Sequence, residues 1–181
     1  MKSLNIRAAK EQDLISISQL YDRVTTALET GINYCGWAKG FYPTAETAQS
    51  AFDKNRLYLV EQEQQVVGSF VLSQDFEPCY EQAQWSLPSD YSKILVVHTL
   101  AVDPAHAGKG IGKKILDFVC QHGTSLGITS IRLDTYEKNL PAIALYEGCG
   151  FRFAGKVDLG RSDRGLDWFH CYEKLLPCSD T

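Results

Sequence analysis

Three glycines at alternate positions, Gly108, Gly110 and Gly112, lie in the stretch AGKGIGKK, after an apolar run and before a helical pattern. Glycines so spaced let the backbone approach a ligand closely, and they converge N–H groups at the positive end of the helix. Such a nest holds phosphate or pyrophosphate through main-chain donors, with Lys109 and Lys113 adding charge. A plain glycine-rich connector is the competing explanation. Two phosphate motifs fail here. The P-loop pattern Gly-x4-Gly-Lys-Ser/Thr is met at Gly112-Lys113 but finds Ala107 and Lys114 at its other required positions. The dinucleotide pattern GxGxxG fails on its last spacing.

Other reactive residues form no cluster. Cys35, Cys79, Cys120, Cys149, Cys171 and Cys178 show no CxxC pairing, and MKSLNIRAAKEQD does not read as a secretory leader. Reduced, structural thiols are expected, with Cys120, Cys149 and Cys171 acting as small hydrophobes. His98, His106, His122 and His170 lack zinc-ligand spacing, so no metal is expected. The net charge is −4, without the basic stripe that nucleic-acid binding requires. No run approaches the roughly 18 apolar residues of a membrane span. The expectation is a soluble, cytoplasmic protein with no nucleic-acid or membrane partner. At 181 residues and 44% hydrophobic, the chain suits one domain over 1–181.

The periodicity supplies elements to carry these residues. Leu4–Arg7 reads as a strand. Leu14, Ile17, Leu20, Tyr21, Val24 and Leu28 recur at helical spacing until Gly31. Thr44 suits the N-cap of a second helix to about Asp53. Residues 57–62 and 65–73 predict a hairpin turning through EQEQQ. Residues 74–92 carry prolines and aromatics without a period, and long loops of this kind are often functional. KILVVHTLAV (93–102) reads as a strand buried in mid-sheet. A helix follows on Ile111, Ile115, Phe118, Val119, His122 and Leu126, closed by Gly127. Strand 130–137 comes next, then a short helix capped by Asn139 and running through Tyr146, then two strands joined by RSDRG. The helix between strands 93–102 and 130–137 makes that pair parallel with a right-handed crossover.

The segment HTLAVDPAHAGKGIGKKILDFV resembles the acetyl-coenzyme A motif of the GNAT superfamily of N-acetyltransferases. That motif runs Arg or Gln, two residues, Gly, one residue, then Gly or Ala. Gly110 and Gly112 match it, and Ala107 stands where Arg or Gln is usual. The departure removes a side chain and leaves the backbone donors. Asn139 followed by PAIALYEGCGF resembles the second motif of the family, and the element order agrees over almost the whole chain. The resemblance implies a mixed α/β fold of order β-α-α-β-β-β-α-β-α-β-β, with two splayed parallel central strands.

It also implies acetyl-CoA as co-substrate and transfer of acetyl to an amine, with a small molecule favoured and peptide or protein N-termini left open. The pantetheine arm would lie between strands 93–102 and 130–137, on backbone groups of Leu100, Ala101 and Val102. Residues Ala107, Gly108, Lys109, Gly110, Ile111, Gly112 and Lys113 would hold the pyrophosphate. His98 matches the position of a family base, and an imidazole titrates near neutrality; a buried histidine or a water relay competes. Tyr146 matches the family's acid for the thiolate, and a core aromatic is its plainer role. Asn139 would contact the arm, orient Tyr146, or simply cap its helix. Tyr34, Trp37, Tyr42, Trp85, Tyr91 and Trp168, with Glu77, Glu81 and Asp90, are candidates to receive the amine. A non-catalytic acyl-CoA sensor is the alternative function, and monomer and homodimer are both open.

Overall fold

The structure is a computed structural model that describes residues 3–177, so Cys178 lies outside the described residues. The elements are β1 (Leu4–Ala8), α1 (Leu14–Thr30), α2 (Ala45–Asp53), β2 (Leu57–Gln62), β3 (Gln65–Ser73) and β4 (Ile94–Val102). There follow α3 (Ile111–Ser125), β5 (Ser130–Tyr136), α4 (Leu140–Gly148), β6 (Arg152–Val157) and β7 (Phe169–Leu175). The order and the mixed α/β class are those expected from the sequence. The strands run β1-β2-β3-β4-β5-β7-β6.

Two compact units divide the chain. The first takes residues up to Asn33, Trp37–Leu72 and His98–Ile115. Here β1 and β2 pair antiparallel, as do β2 and β3, and Ile17, Leu20, Tyr21 and Val24 bury one stripe of α1. The side chains at i, i+3, i+4 and i+7 share a helix face, which is why that stripe drives the helix onto the sheet. α2 starts in a reciprocal cap: the Thr47 N–H donates to Thr44 Oγ1 at 3.4 Å, and the Thr44 N–H donates to Thr47 Oγ1 at 3.0 Å. The β2–β3 turn places Glu63 (φ 51°) and Gln64 (φ 66°) in the left-handed region. That is the twist a two-residue hairpin needs, formed without the usual Asn or Gly.

The second unit takes Tyr34–Gly36, Ser73–Val97 and the chain from Leu116 onward. β4 and β5 are parallel, from Ile94↔Ser130 to Val97↔Leu133. β7 pairs antiparallel with β5 on one side and β6 on the other. α3 lies so close to β5 that a Cβ on Gly123 would come within 3.1 Å of Ile131 Cδ1 and 2.9 Å of Leu176 Cδ1.

The side chains of this unit also explain how the aperiodic segment 74–92 is ordered. Arg132 is fully buried, and its Nε donates to Glu173 Oε1 at 3.2 Å. The remaining guanidinium nitrogens donate to Ser89 Oγ and the Leu87 carbonyl, each at 2.9 Å. Its plane sits 4.2 Å from the Trp85 ring centroid and 5.6 Å from that of Tyr91. Glu173 also accepts from the Ser86 N–H at 2.6 Å and the Ser130 hydroxyl at 2.8 Å. Each donor and acceptor meets a partner, as a buried ion pair requires. Replacing Arg132 by Met leaves the Glu173 charge uncompensated. Arg132→Met should therefore cost about 3–5 kcal/mol of stability by denaturant titration, with earlier proteolytic cleavage within 84–92; a loss under about 1 kcal/mol would contradict this role.

Candidate active site

β4 changes character halfway along. Ile94–Val97 are buried and paired to β5, from Ile94↔Ser130 to Val97↔Leu133, whereas His98, Thr99 and Leu100 are half-buried. Thr99 has a φ of 48°, rare for a β-branched residue and worth about 1–3 kcal/mol of strain. Its hydroxyl shares a 2.5 Å hydrogen bond with that of Tyr42, which helps hold the conformation. A left-handed residue inside a strand turns neighbouring peptide groups out of the ladder direction. Leu100 and Val102 flank Ala101, whose side chain is buried in the first unit's core.

Past Val102 the chain is clamped before it reaches the glycines. Asp103 is buried, accepts from the Ala105 N–H at 2.9 Å and pairs with Arg23 Nε at 2.8 Å. Its own N–H donates to the Val67 carbonyl at 2.9 Å, and Arg23 also donates to the Val66 carbonyl at 3.2 Å. α1 and β3 thereby hold the start of the turn.

Gly108 (φ 72°) and Gly110 (φ 78°) are both left-handed, and a Cβ on either would meet nothing within 4 Å. Glycine is required there by the backbone and not by crowding. The first α-helical bond of α3 runs from the Lys114 N–H to the Gly110 carbonyl at 3.1 Å. The N–H groups of Ile111, Gly112 and Lys113 lie ahead of it, at the end where a helix leaves donors unpaired. Lys109 Nζ donates to the Ala105 carbonyl at 2.9 Å, so this lysine folds back on its own turn. Ala107 and Lys113 are exposed. The site can hold an anion through main-chain donors, and the residues present fit a pyrophosphate.

Tyr146, on α4, is 93% buried, with its ring between Phe151 and Tyr172 at centroid distances of 6.2 and 5.9 Å. Its hydroxyl makes no hydrogen bond among the described residues. Burial pushes its pKa well above the usual phenol range, and the charges of Asp134, Cys35 and Tyr172 push the same way. Asn139 caps α4: its Oδ1 accepts from the Ala142 N–H at 3.4 Å, and its Nδ2 donates to Thr135 Oγ1 at 3.0 Å. Both ends of that amide are engaged in fixing the helix that carries Tyr146.

Asp134 was not singled out by sequence reasoning. It follows Leu133, which pairs with Val97 of β4, and accepts a hydrogen bond from the buried Tyr80 hydroxyl. The available signal was the polar alternation Ser130, Arg132, Asp134 within an otherwise apolar strand. Among the aromatic candidates, Trp85 and Tyr91 are committed to Arg132, and Trp37 packs edge-on to Tyr42 at 5.8 Å. Trp168 is 45% exposed.

The sequence model of the acetyltransferase (GNAT) family matches residues 19–151. Over 73 residues, 40% of this chain, the sequence is 33% identical to a streptothricin acetyltransferase of Escherichia coli. Over 58 residues, 32% of this chain, it is 41% identical to a spermine/spermidine N(1)-acetyltransferase of Bacillus subtilis. The matches span 41% and 38% of those relatives' own lengths. A GNAT-family acetyltransferase structure from Streptococcus agalactiae superposes with a TM-score of 0.80, at 16% identity and 96% coverage of each chain. A Salmonella typhimurium protein solved with its cofactor acetyl-CoA gives 0.65 at 18% identity, covering 98% of this chain and 96% of that one.

Burial raises the phenols of Tyr146, Tyr80 and Tyr21, the last to about 12, so folding favours their protonated forms. The stability they contribute is full below the ordinary tyrosine pKa of about 10 and is lost as pH climbs through the folded values. Tyr146→Phe should flatten the decline of stability above about pH 10, read as denaturation midpoints against pH. A variant with the wild-type slope would show that Tyr146 contributes nothing to it.

Proposed function

The chain belongs to the acetyltransferase (GNAT) family, and we propose that it transfers an acetyl group from acetyl-CoA to the primary amine of a small molecule by direct attack in a ternary complex. The observation that carries this reading is the pair of open, left-handed glycines set before the unpaired N–H groups of α3. Main-chain donors at residues 108–113 hold the pyrophosphate, which is why Ala107 in place of Arg or Gln is tolerable. Backbone groups of Leu100, Ala101 and Val102, beyond the turned-out Thr99, pair with the pantetheine amides. An N–H near Leu100 aimed at the thioester oxygen is worth roughly 3 kcal/mol as charge develops there.

His98 takes the proton from the amine, directly or through a water, because an alkylammonium has no lone pair to attack with. Tyr146 supplies the proton to the departing sulfur. Its raised pKa keeps the phenol protonated, and its hydroxyl has no protein partner among the described residues to compete for it. Asn139 acts on Tyr146 through the start of α4. The names of the streptothricin and spermine/spermidine relatives support a small amine as acceptor, and the net charge of −4 gives no support to nucleic acid as partner. No helix among the described residues is long and apolar enough to cross a membrane, and acetyl-CoA chemistry suits the cytoplasm.

A thiol-release assay with acetyl-CoA against amines, polyamines, aminoglycosides, amino acids and short peptides tests the reading. Tyr146→Phe and His98→Ala should each lower kcat by about 10²–10⁴-fold while calorimetric coenzyme affinity persists. Gly110→Ala should instead weaken coenzyme binding about tenfold, through the strain of a left-handed alanine. Failure of the wild type to bind acetyl-CoA would sink the proposal. Tight binding with no release on any amine would favour the sensor.

A further inference from the structure

At the outer edge of the second unit, β6 borders a cavity of about 460 Å³ that no residue of the two family motifs lines. It opens where residues 82–86 run beside β6, and main-chain contacts fix its walls. The Gln84 N–H donates to the Ala154 carbonyl at 2.6 Å. A Cβ on Gly155 would stand 3.5 Å from Ala83 Cα and 3.7 Å from the Gln84 nitrogen. The register of β6 against β7 shifts between Phe153 and Gly155, and such a bulge re-aims side chains at a sheet edge. Glu173 also lines the cavity; it is buried and accepts from the Ser86 N–H at 2.6 Å. The cavity is therefore framed by the same contacts that order the connection between β3 and β4.

Three charged residues line it, and two are already matched. Glu173 pairs with the buried Arg132 at 3.2 Å, and Lys156 pairs with Glu137 at 3.0 Å. Arg152 is exposed and makes no side-chain hydrogen bond or ion pair among the described residues. The amides of Gln82 and Gln84 and the Ser86 hydroxyl likewise meet no protein partner among those residues. Water meets such groups in the free protein, and a ligand that displaces it has to reproduce its hydrogen bonds.

The chemistry of these groups narrows the ligand. A guanidinium fork binds a planar oxyanion through two parallel bonds. One unmatched positive charge suits a single carboxylate better than a phosphate monoester, which carries about −1.5 to −2. Amides and a hydroxyl both donate and accept, so the rest of the ligand is matched by hydroxyl groups and not by apolar surface. The volume falls within the range of small-molecule sites, roughly 300–1,000 Å³.

We propose that this cavity is a ligand site for a small polyhydroxy monocarboxylate of the sugar-acid kind. Arg152 takes the carboxylate, and Gln82, Gln84 and Ser86 take the hydroxyls. A ligand so held bridges β6 to the connection and tightens it. The inference stands apart from the transferase reading.

Gluconate is the test probe, titrated into the full chain at fixed ionic strength and followed by backbone amide NMR. Saturable shifts are expected at residues 82–86 and 152–156, with a dissociation constant of about 1 mM or tighter. Arg152→Gln should weaken binding about tenfold or more, and Arg152→Lys, which keeps the charge without the fork, should recover only part. Gln84→Ala should cost about threefold. Lys54→Gln makes the same charge change at an exposed residue of the first unit and should leave binding unaltered. Acetate and sorbitol, which each carry half of the chemistry, should bind at least about tenfold more weakly than gluconate. Gluconate should also slow proteolytic cleavage within 84–92 in the wild type but not in Arg152→Gln.

Absence of saturable shifts at 82–86 and 152–156, or equal losses in Arg152→Gln and Lys54→Gln, would overturn the site. Shifts confined to 108–113 would place the anion at the glycine turn and overturn it as well. Acetate or sorbitol binding as tightly as gluconate, or glycerol 3-phosphate binding more tightly, would overturn the ligand class. None of these readouts involves acetyl-CoA, so a failed transferase reading would leave them unchanged.

Discussion

The buried pairing of Arg132 with Glu173 sets conditions that much of the second unit has to meet. Taking both charges out of water costs several kcal/mol per ion, and the pair persists only if every remaining donor and acceptor finds a partner. The partners come from Ser86, Leu87, Ser89 and Ser130, with Trp85 over the guanidinium face. Four of these five lie in the connection between β3 and β4. The connection is thus ordered from the sheet outward, by a charge that must be satisfied, rather than by any period of its own. Tyr80 enters the core on the same segment, so the placement of Asp134 inherits its rigidity from the ion pair.

β5 is the strand on which these demands meet. Its side chains alternate between two environments, as the pleat dictates. Ile131 lies against the tight approach of α3 at Gly123. Ser130, Arg132 and Asp134 form the polar row that binds Glu173, the connection and Tyr80. Thr135, one step on, takes the Asn139 amide that starts α4, so the axis of α4, and with it Tyr146, is set from the same strand. The carboxylate and the phenol reach their places through independent bonds to consecutive residues of one rigid element. A shift of β5 would displace both together.

What was legible in the sequence was whatever rests on period or on a backbone requirement. The stripe Ile17, Leu20, Tyr21, Val24 fixes α1 because nothing else satisfies that spacing. Gly108 and Gly110 were legible because only glycine takes their φ at no cost. His98, Asn139 and Tyr146 were located by motif, and the structure places each on the element anticipated for it. Other features left no local mark. Nothing in Glu63-Gln64 advertises a left-handed turn; the strand pairing on either side imposes it. Thr99 reads as an ordinary strand residue, and its φ of 48° is held from outside by Tyr42. β7 lies between β5 and β6, an order that a hairpin pattern alone does not specify. The contact of Asp134 with Tyr80, 54 positions away in sequence, left no local mark either.

On the proposed reading, the glycine turn explains how a binding site can survive a departure from its motif. An anion held by N–H groups at a helix start depends on where the backbone points, and side chains around it matter through the geometry they enforce. Ala107 lacks the usual longer side chain, and Lys109 spends its charge on the Ala105 carbonyl. The turn is nonetheless tethered at its entrance by Asp103, through Arg23 on α1, Ala105 in the turn and Val67 on β3. Since Asp103 is buried and its partners come from two elements, the tether is harder to lose than an exposed lysine contact, whose worth is screened by solvent. On that reading, the tolerance for Ala107 and the need for Arg23 and Asp103 share one cause. A site built from main-chain donors moves its sequence requirement off the ligand-facing residues and onto the buried ones that hold the loop in shape.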